Sequence, residues 1–146
     1  MNQHPIRILL IEDDPEDILI IQMVLKKAKV PNELFVVQDG RAALDFLQHR
    51  GKYSGNNGAP RPEFILMEID LPKLNGIELL KQLKSDKKLR SIPVTIFTHS
   101  DRDEDVVTSY QLGANSYLRK PLGFDNFVST VRSLYRYWTA LAKLPS

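Results

Sequence analysis

Residues 64–76 read "FILMEIDLPKLNG". Four apolar residues, Phe64 to Met67, make a run of the length expected for a strand buried on both faces. The run ends on Glu68-Ile69-Asp70, and Leu71-Pro72 with Asn75-Gly76 then turn the chain. A buried strand therefore presents carboxylates at its tip. "GIELLKQLKS" (76–85) follows with helical spacing, its start placed near Asn75.

The same strand-then-helix unit recurs along the chain. Arg7–Ile11 is a short apolar strand, and "DDPEDILIIQMVLKKAK" (13–29) is a helix. Asp14 suits its N-cap, Pro15 its first position and further acids its first turn. Ile18, Ile21, Leu25 and Ala28 mark its inward face. "ELFVV" (33–37) is a second strand, and "DGRAALDFLQHR" (39–50) a second helix with Ala43, Leu44 and Leu47 inward. "IPVTIFT" (92–98) is a fourth strand. "DRDEDVVTSYQLG" (101–113) is a helix closed by Gly113. "SYLR" (116–119) is a fifth strand, and "FDNFVSTVRSLYRYWTALA" (124–142) a long last helix. Between the second helix and the third strand, "RGKYSGNNGAPRP" (50–62) reads as a flexible surface loop.

Five βα units with nearly continuous apolar strands imply an α/β fold with a parallel sheet covered on both faces. Right-handed crossovers narrow this to a doubly wound, flavodoxin-like five-stranded sheet, strand order 2-1-3-4-5. Residues 1–146 are expected to form a single domain with no output domain following. At 42% hydrophobic and 26% charged the chain is globular. Its net charge of +2 is not blocked into a basic patch, which gives no case for nucleic acid binding. It has no cysteine, which excludes disulfides and thiolate chemistry. No apolar run is long enough for a membrane span or a signal segment, so a soluble, cytoplasmic protein is expected.

Ligands of such sheets bind beyond the C-terminal ends of the strands. The first strand ends in Glu12-Asp13-Asp14, the third in Glu68, the fourth in Thr98-His99-Ser100 and the fifth in Lys120-Pro121. In the order 2-1-3-4-5 these tips converge. Two like charges 4 Å apart repel by about 4 kcal/mol at an effective dielectric of 20, so clustered carboxylates demand a cation or a raised pKa. Lys120 supplies one charge. A hard divalent ion with oxygen ligands, Mg²⁺ above all, would supply the rest. Thr98 and Lys120 suit phosphoryl oxygens. Taken singly, each feature has a bland alternative: a helix N-terminus for "EDDPED", a turn for Lys-Pro.

Together, "ILLIEDDPED", "FILMEIDLPKLNG", "IPVTIFTHS" and "SYLRKPL", in this order and spacing, resemble a two-component response-regulator receiver domain over residues 6–134. "VPNELFVVQDGRAALDFL", the long loop and the aromatic last helix are similar to the small response regulators that serve cyanobacterial phytochromes. The resemblance implies a phytochrome-type histidine kinase as partner. It also implies Mg²⁺ held by Asp13 directly, by Glu12 through water, at Glu68 and by the main-chain carbonyl of Asp70. Thr98 corresponds to the family's hydroxyl, Lys120 to its lysine and Tyr117 to its switch aromatic. A cis Lys120–Pro121 bond would follow too.

Two positions depart from the family pattern. The phosphoacceptor aspartate lies four residues before the turn proline, and here that position is Glu68. Its extra methylene moves the carboxylate by about one bond length, and in-line transfer tolerates little misplacement. Asp70 is expected to point to solvent and not to substitute. His99 stands where the family has a small residue; it either narrows the site or lies over the surface. A Mg²⁺-dependent phosphohydrolase on a related sheet is the alternative function, and a flavin carrier of flavodoxin type a further one, opposed by the acids of "EDDPED". His4 and His49 read as surface residues, and "DRDEDV" as a solvated helix start.

In the last helix Phe124, Val128, Val131, Tyr135, Trp138 and Ala142 form an apolar stripe, widened by Phe127, Leu134 and Leu141. Aromatics beyond Leu134 suggest a homodimer through this helix, with Tyr135, Trp138 and Leu141 at the interface. The alternative is that "YRYWTALA" folds back on its own core.

Overall fold

The structure, a computed structural model, describes residues 5–55 and 58–141, the last two by their backbone alone. His4 and Ala142, and the side chain of Leu141, lie outside the described residues. The strands are β1 (Ile6–Ile11), β2 (Asn32–Val37), β3 (Phe64–Met67), β4 (Val94–Thr98) and β5 (Ser116–Arg119). They alternate with helices α1 (Pro15–Lys26), α2 (Gly40–Gln48), α3 (Gly76–Ser85), α4 (Asp103–Gln111) and α5 (Phe124–Arg136). All strand pairs are parallel, in the order β2-β1-β3-β4-β5. No described helix is long and apolar enough to cross a membrane.

The period-2 alternation of the strands divides the core into two layers. Leu9, Ile11, Ile65, Met67, Val94 and Ile96 pack beneath α2 and α3. Ile8, Leu10, Phe64, Leu66 and Phe97 pack beneath α1 and α5, with Leu118 at the margin. Side-chain caps start three of the helices, each worth about 1 kcal/mol. Asp14 accepts from Glu16 N–H, Asp39 from Ala42 N–H and Asn75 from Glu78 N–H. Gly113 ends α4 with φ +108°, a conformation that other residues rarely adopt. At Gly76 a Cβ would lie 2.5 Å from the Glu68 carbonyl oxygen, so glycine lets α3 start directly on the tip of β3.

Two expectations fail here. Tyr135 and Trp138 are not exposed for a partner; both are buried in the layer beneath α1 and α5. The Trp138 ring stacks on Phe64 at 5.6 Å, and its indole N–H donates to Thr95 Oγ1 at 3.1 Å. The Tyr135 hydroxyl donates to the Val30 carbonyl. A buried ring with a polar tip needs such a partner, and β4 supplies it for Trp138, the segment before β2 for Tyr135. The last helix also changes character. It is α-helical to Arg136 and then widens to a π-turn over Tyr137–Leu141. There Thr139 Oγ1 donates back to the Tyr135 carbonyl at 2.8 Å, a contact that loosens a helix. The last helix thus continues past Leu134, α-helical to Arg136 and π-helical to Leu141. The second expectation to fail is the cis bond. The described residues contain no cis peptide. Lys120–Pro121 keeps the trans form that X–Pro bonds favour by about 0.5–1 kcal/mol.

Candidate functional site

The strand period carries the site residues past the strand ends. Glu12, Glu68 and Lys120 each follow by two residues a side chain of the α1–α5 layer: Leu10, Leu66 and Leu118. The sheet ladder continues beneath them: Glu12 N–H donates to Val37, Glu68 N–H to Ile11 and Lys120 N–H to Thr98 carbonyls. All three side chains therefore emerge on the same side and are buried, Glu12 and Lys120 to 2% exposure.

Lys120 Nζ sits among three carboxylates. It donates to Glu12 Oε1 at 2.5 Å, Asp17 Oδ2 at 2.8 Å and Glu68 Oε1 at 2.8 Å. Its ammonium also lies 5.9 Å from the centre of the Phe97 ring, within cation–π range. The other oxygen of each glutamate holds its own loop. Glu12 Oε2 accepts from Asp13 and Asp14 N–H, both at 3.1 Å. Glu68 Oε2 accepts from Ile69 N–H at 2.7 Å and Asp70 N–H at 3.2 Å. Each glutamate thus clamps a loop with one oxygen and the lysine with the other.

Burial pushes the Lys120 ammonium down, but its bonds to Asp17, Glu12 and Glu68 outweigh this and hold it above the ordinary lysine range. Burial raises the Glu12 carboxyl, against the opposing pull of Lys120. One cation facing three carboxylates leaves the cluster with excess negative charge.

Asp17 is the member that sequence reasoning missed. It reads as a first-turn acid that favours the helix dipole. Yet Asp17, Ile21 and Leu25 are spaced four apart, so Asp17 lies on the inward face of α1. Asp13 shows the converse. It is exposed and is not among the groups bonded to Lys120. Asp70 is exposed, as expected from the turn.

Thr98 lies one residue off the period of Phe97 and so belongs to the opposite layer with Ile96. It is fully buried, and its Oγ1 accepts from Ser100 N–H at 3.3 Å. Tyr117 packs on that same layer, and its hydroxyl donates to the Ser100 carbonyl at 2.9 Å. Burial raises the Tyr117 phenol above its ordinary value. Ser100 is fixed in turn: its Oγ donates to Asp105 Oδ2 at 2.6 Å, and Arg102 clasps the same carboxylate. Asp105 is therefore buried, unlike its neighbours in the acidic run "DRDEDV". His99 rests at the rim, its side chain 58% exposed, with Nε2 3.9 Å from Asp17 Oδ2. His49 is exposed.

Residues 8–132 match the family model of the response regulator receiver domain. The chain belongs to that receiver family. It is a signalling module of two-component phosphorelays, not an enzyme. It is 37% identical over 139 residues to Response regulator Rcp1 of Synechocystis sp., covering 95% of this chain and 92% of that protein. Among solved structures it resembles the phosphorylated cyanobacterial phytochrome response regulator RcpA, with TM-score 0.92 and 35% identity, covering 98% of this chain and all of that one. The Mn²⁺-bound form of Rcp1 gives TM-score 0.93 and 37% identity, covering 97% and 100%.

Receivers generally use Mg²⁺ for phosphotransfer. Among the described residues no three acidic or histidine side chains are set as a metal cluster. Mg²⁺ characteristically takes only one or two carboxylates and keeps several waters. The oxygen-only donors, the excess negative charge and the exposed Asp13 carboxylate suit such an ion.

Proposed function

We propose that the chain is a receiver served by a phytochrome-type histidine kinase, in which Glu68 occupies the phosphoacceptor position and accepts little or no phosphoryl group. The observation that carries this is the engagement of the Glu68 carboxylate. Oε1 is bonded to Lys120 and Oε2 to two backbone N–H groups. A nucleophilic oxygen must be free to meet the donor in line. The longer side chain instead delivers its charge to the lysine that would otherwise neutralise a phosphoryl group. Glu68 thus imitates one contact of the phosphorylated state with one negative charge. Thr98 and Tyr117, on the opposite layer, bond to the Ser100 backbone. The signalling state is set by this fixed carboxylate instead of being switched.

Mg²⁺ would be held by Asp13, by the main-chain carbonyl of Asp70 and by Glu68, with Glu12 reached through water. It would neutralise charge developing on a transferring phosphoryl group. With aspartate at position 68, Lys120 would be free to orient that group, and Thr98 would hydrogen-bond to it. A homodimer through the last helix would use exposed Tyr137, because Tyr135 and Trp138 are committed to the core. The kinase relationship is supported by the likeness to RcpA and Rcp1.

The test is phosphotransfer from a phytochrome-type kinase carrying labelled phosphohistidine. Glu68→Asp should take the label and the chain as given should not. Stable labelling of the chain as given, or no labelling of either, would count against the proposal.

A further inference from the structure

A groove of about 680 Å³ runs between α1 and α5, outside the charged cluster. Its walls are apolar: Val24 and Ala28 on one side, Val128 and Tyr135 on the other, with Phe124 at one end, 57% exposed. Four cations border it: Lys27, Lys29, Arg132 and Arg136. Among the described residues lining it none is acidic, and none of the four cations has an acidic partner. An apolar trough with unpaired positive charge along its edges is incomplete by both hydrophobic and electrostatic criteria.

We propose that this groove docks an acidic amphipathic helix of a partner protein. Phe124, Val128, Arg132 and Arg136 are spaced four apart and form one ridge of α5. From Phe124 to Arg136 the ridge is about 18 Å long, which a helix of about 12 residues would match. Its apolar stripe would lie on Val24, Ala28 and Val128, and its acidic flanks against the four cations. The polarity of the ridge orients it, with its more apolar end toward Phe124 and its more acidic end toward Arg136.

Other occupants fit the charges less well. A second copy placed symmetrically would set the same cations against each other. Residues 142–146 of this chain, Ala-Lys-Leu-Pro-Ser, bring a lysine and no acidic side chain. A bilayer surface is flat, and the feature is concave.

The test uses a fluorescein-labelled synthetic helix of about 14 residues with a leucine stripe flanked by glutamates, and a counterpart with lysines for the glutamates. Fluorescence anisotropy is read on the full chain. The acidic helix should bind saturably and lose affinity as salt rises. Binding should weaken about tenfold or more in Arg132→Glu/Arg136→Glu and measurably in Phe124→Ala. All three positions are exposed, so melting curves should stay unchanged and report that the fold is intact. Absence of saturable binding, equal binding of the lysine counterpart, or indifference to the charge reversal would overturn the proposal. So would vesicles of anionic lipid, or self-association of the chain, that alone respond to the charge reversal.

Discussion

The lysine-centred cluster makes a quantitative prediction through two substitutions, Lys120→Met and Asp17→Asn. The three acceptor oxygens lie 2.5–2.8 Å from Lys120 Nζ. At an effective dielectric of 20, each attraction amounts to about 6 kcal/mol, and each carboxylate–carboxylate repulsion, acting over a longer separation, to about half of that. Asp17→Asn removes one attraction and two repulsions, which nearly cancel. By this Coulomb balance its cost should be small beside that of Lys120→Met, within about 1 kcal/mol. Lys120→Met removes all three attractions and leaves the repulsions, the situation in which a broken buried pair costs about 3–5 kcal/mol.

That cost depends on pH. Without the ammonium, the burial that already raises the Glu12 carboxyl is no longer opposed by Lys120. A carboxyl raised in the folded state binds its proton more tightly there than in the unfolded chain. The resulting stability is present below the unfolded pKa and is lost as pH rises through the folded one. The deficit of Lys120→Met should thus be smaller at about pH 5 and larger at about pH 8. There it should appear as a drop of about 10 °C or more in Tm. Urea denaturation of both variants and the parent at the two pH values is the assay. Equal costs for the two substitutions, or a Lys120→Met deficit that does not change with pH, would refute the charge account.

Calorimetric titration should show Mg²⁺ binding in about the sub-millimolar to millimolar range, as for an ion that keeps most of its waters. Asp13→Ala should weaken it markedly, and equal affinities would remove Asp13 from the ligand set. Trp138→Ala should cost about 3–5 kcal/mol by leaving a cavity beside Phe64 and removing the indole bond to Thr95. A cost under about 1 kcal/mol in chemical denaturation would mean that the indole is not a core residue. Light scattering should give a dimer that Tyr137→Glu dissociates. A parent that is monomeric at high micromolar concentration would exclude self-association through the last helix.

Much of the fold was legible because local signals and the global pattern agree. The caps Asp14 and Asn75, the glycine at 113 and the alternating strands each point to the same doubly wound sheet. The strand-end rule also located Glu12, Glu68 and Lys120. Sequence could not rank the acids of "EDDPED" by direction, because each has a role at a helix start. Only the packing of α1 on the sheet separates buried Asp17 from exposed Asp13. The stripe through Tyr135 and Trp138 was equally ambiguous, since an apolar face looks the same whether a partner or its own sheet covers it. Thr95, a polar residue inside β4, was the overlooked sign that an indole N–H would need an acceptor there. In the same way, the acidic start of α4 conceals Asp105, whose inward turn is visible only with Ser100 and Arg102 in place.

On the proposed reading, one methylene at position 68 separates this chain from a phosphorylatable receiver. The most direct test is intact mass at neutral pH after incubation with acetyl phosphate and Mg²⁺, for the chain as given and for Glu68→Asp. The account predicts no added mass for the former and one phosphoryl group on the latter. Ready labelling of the chain as given, at Glu68 or at Asp70, would contradict it, and so would a Glu68→Asp variant that remains unlabelled.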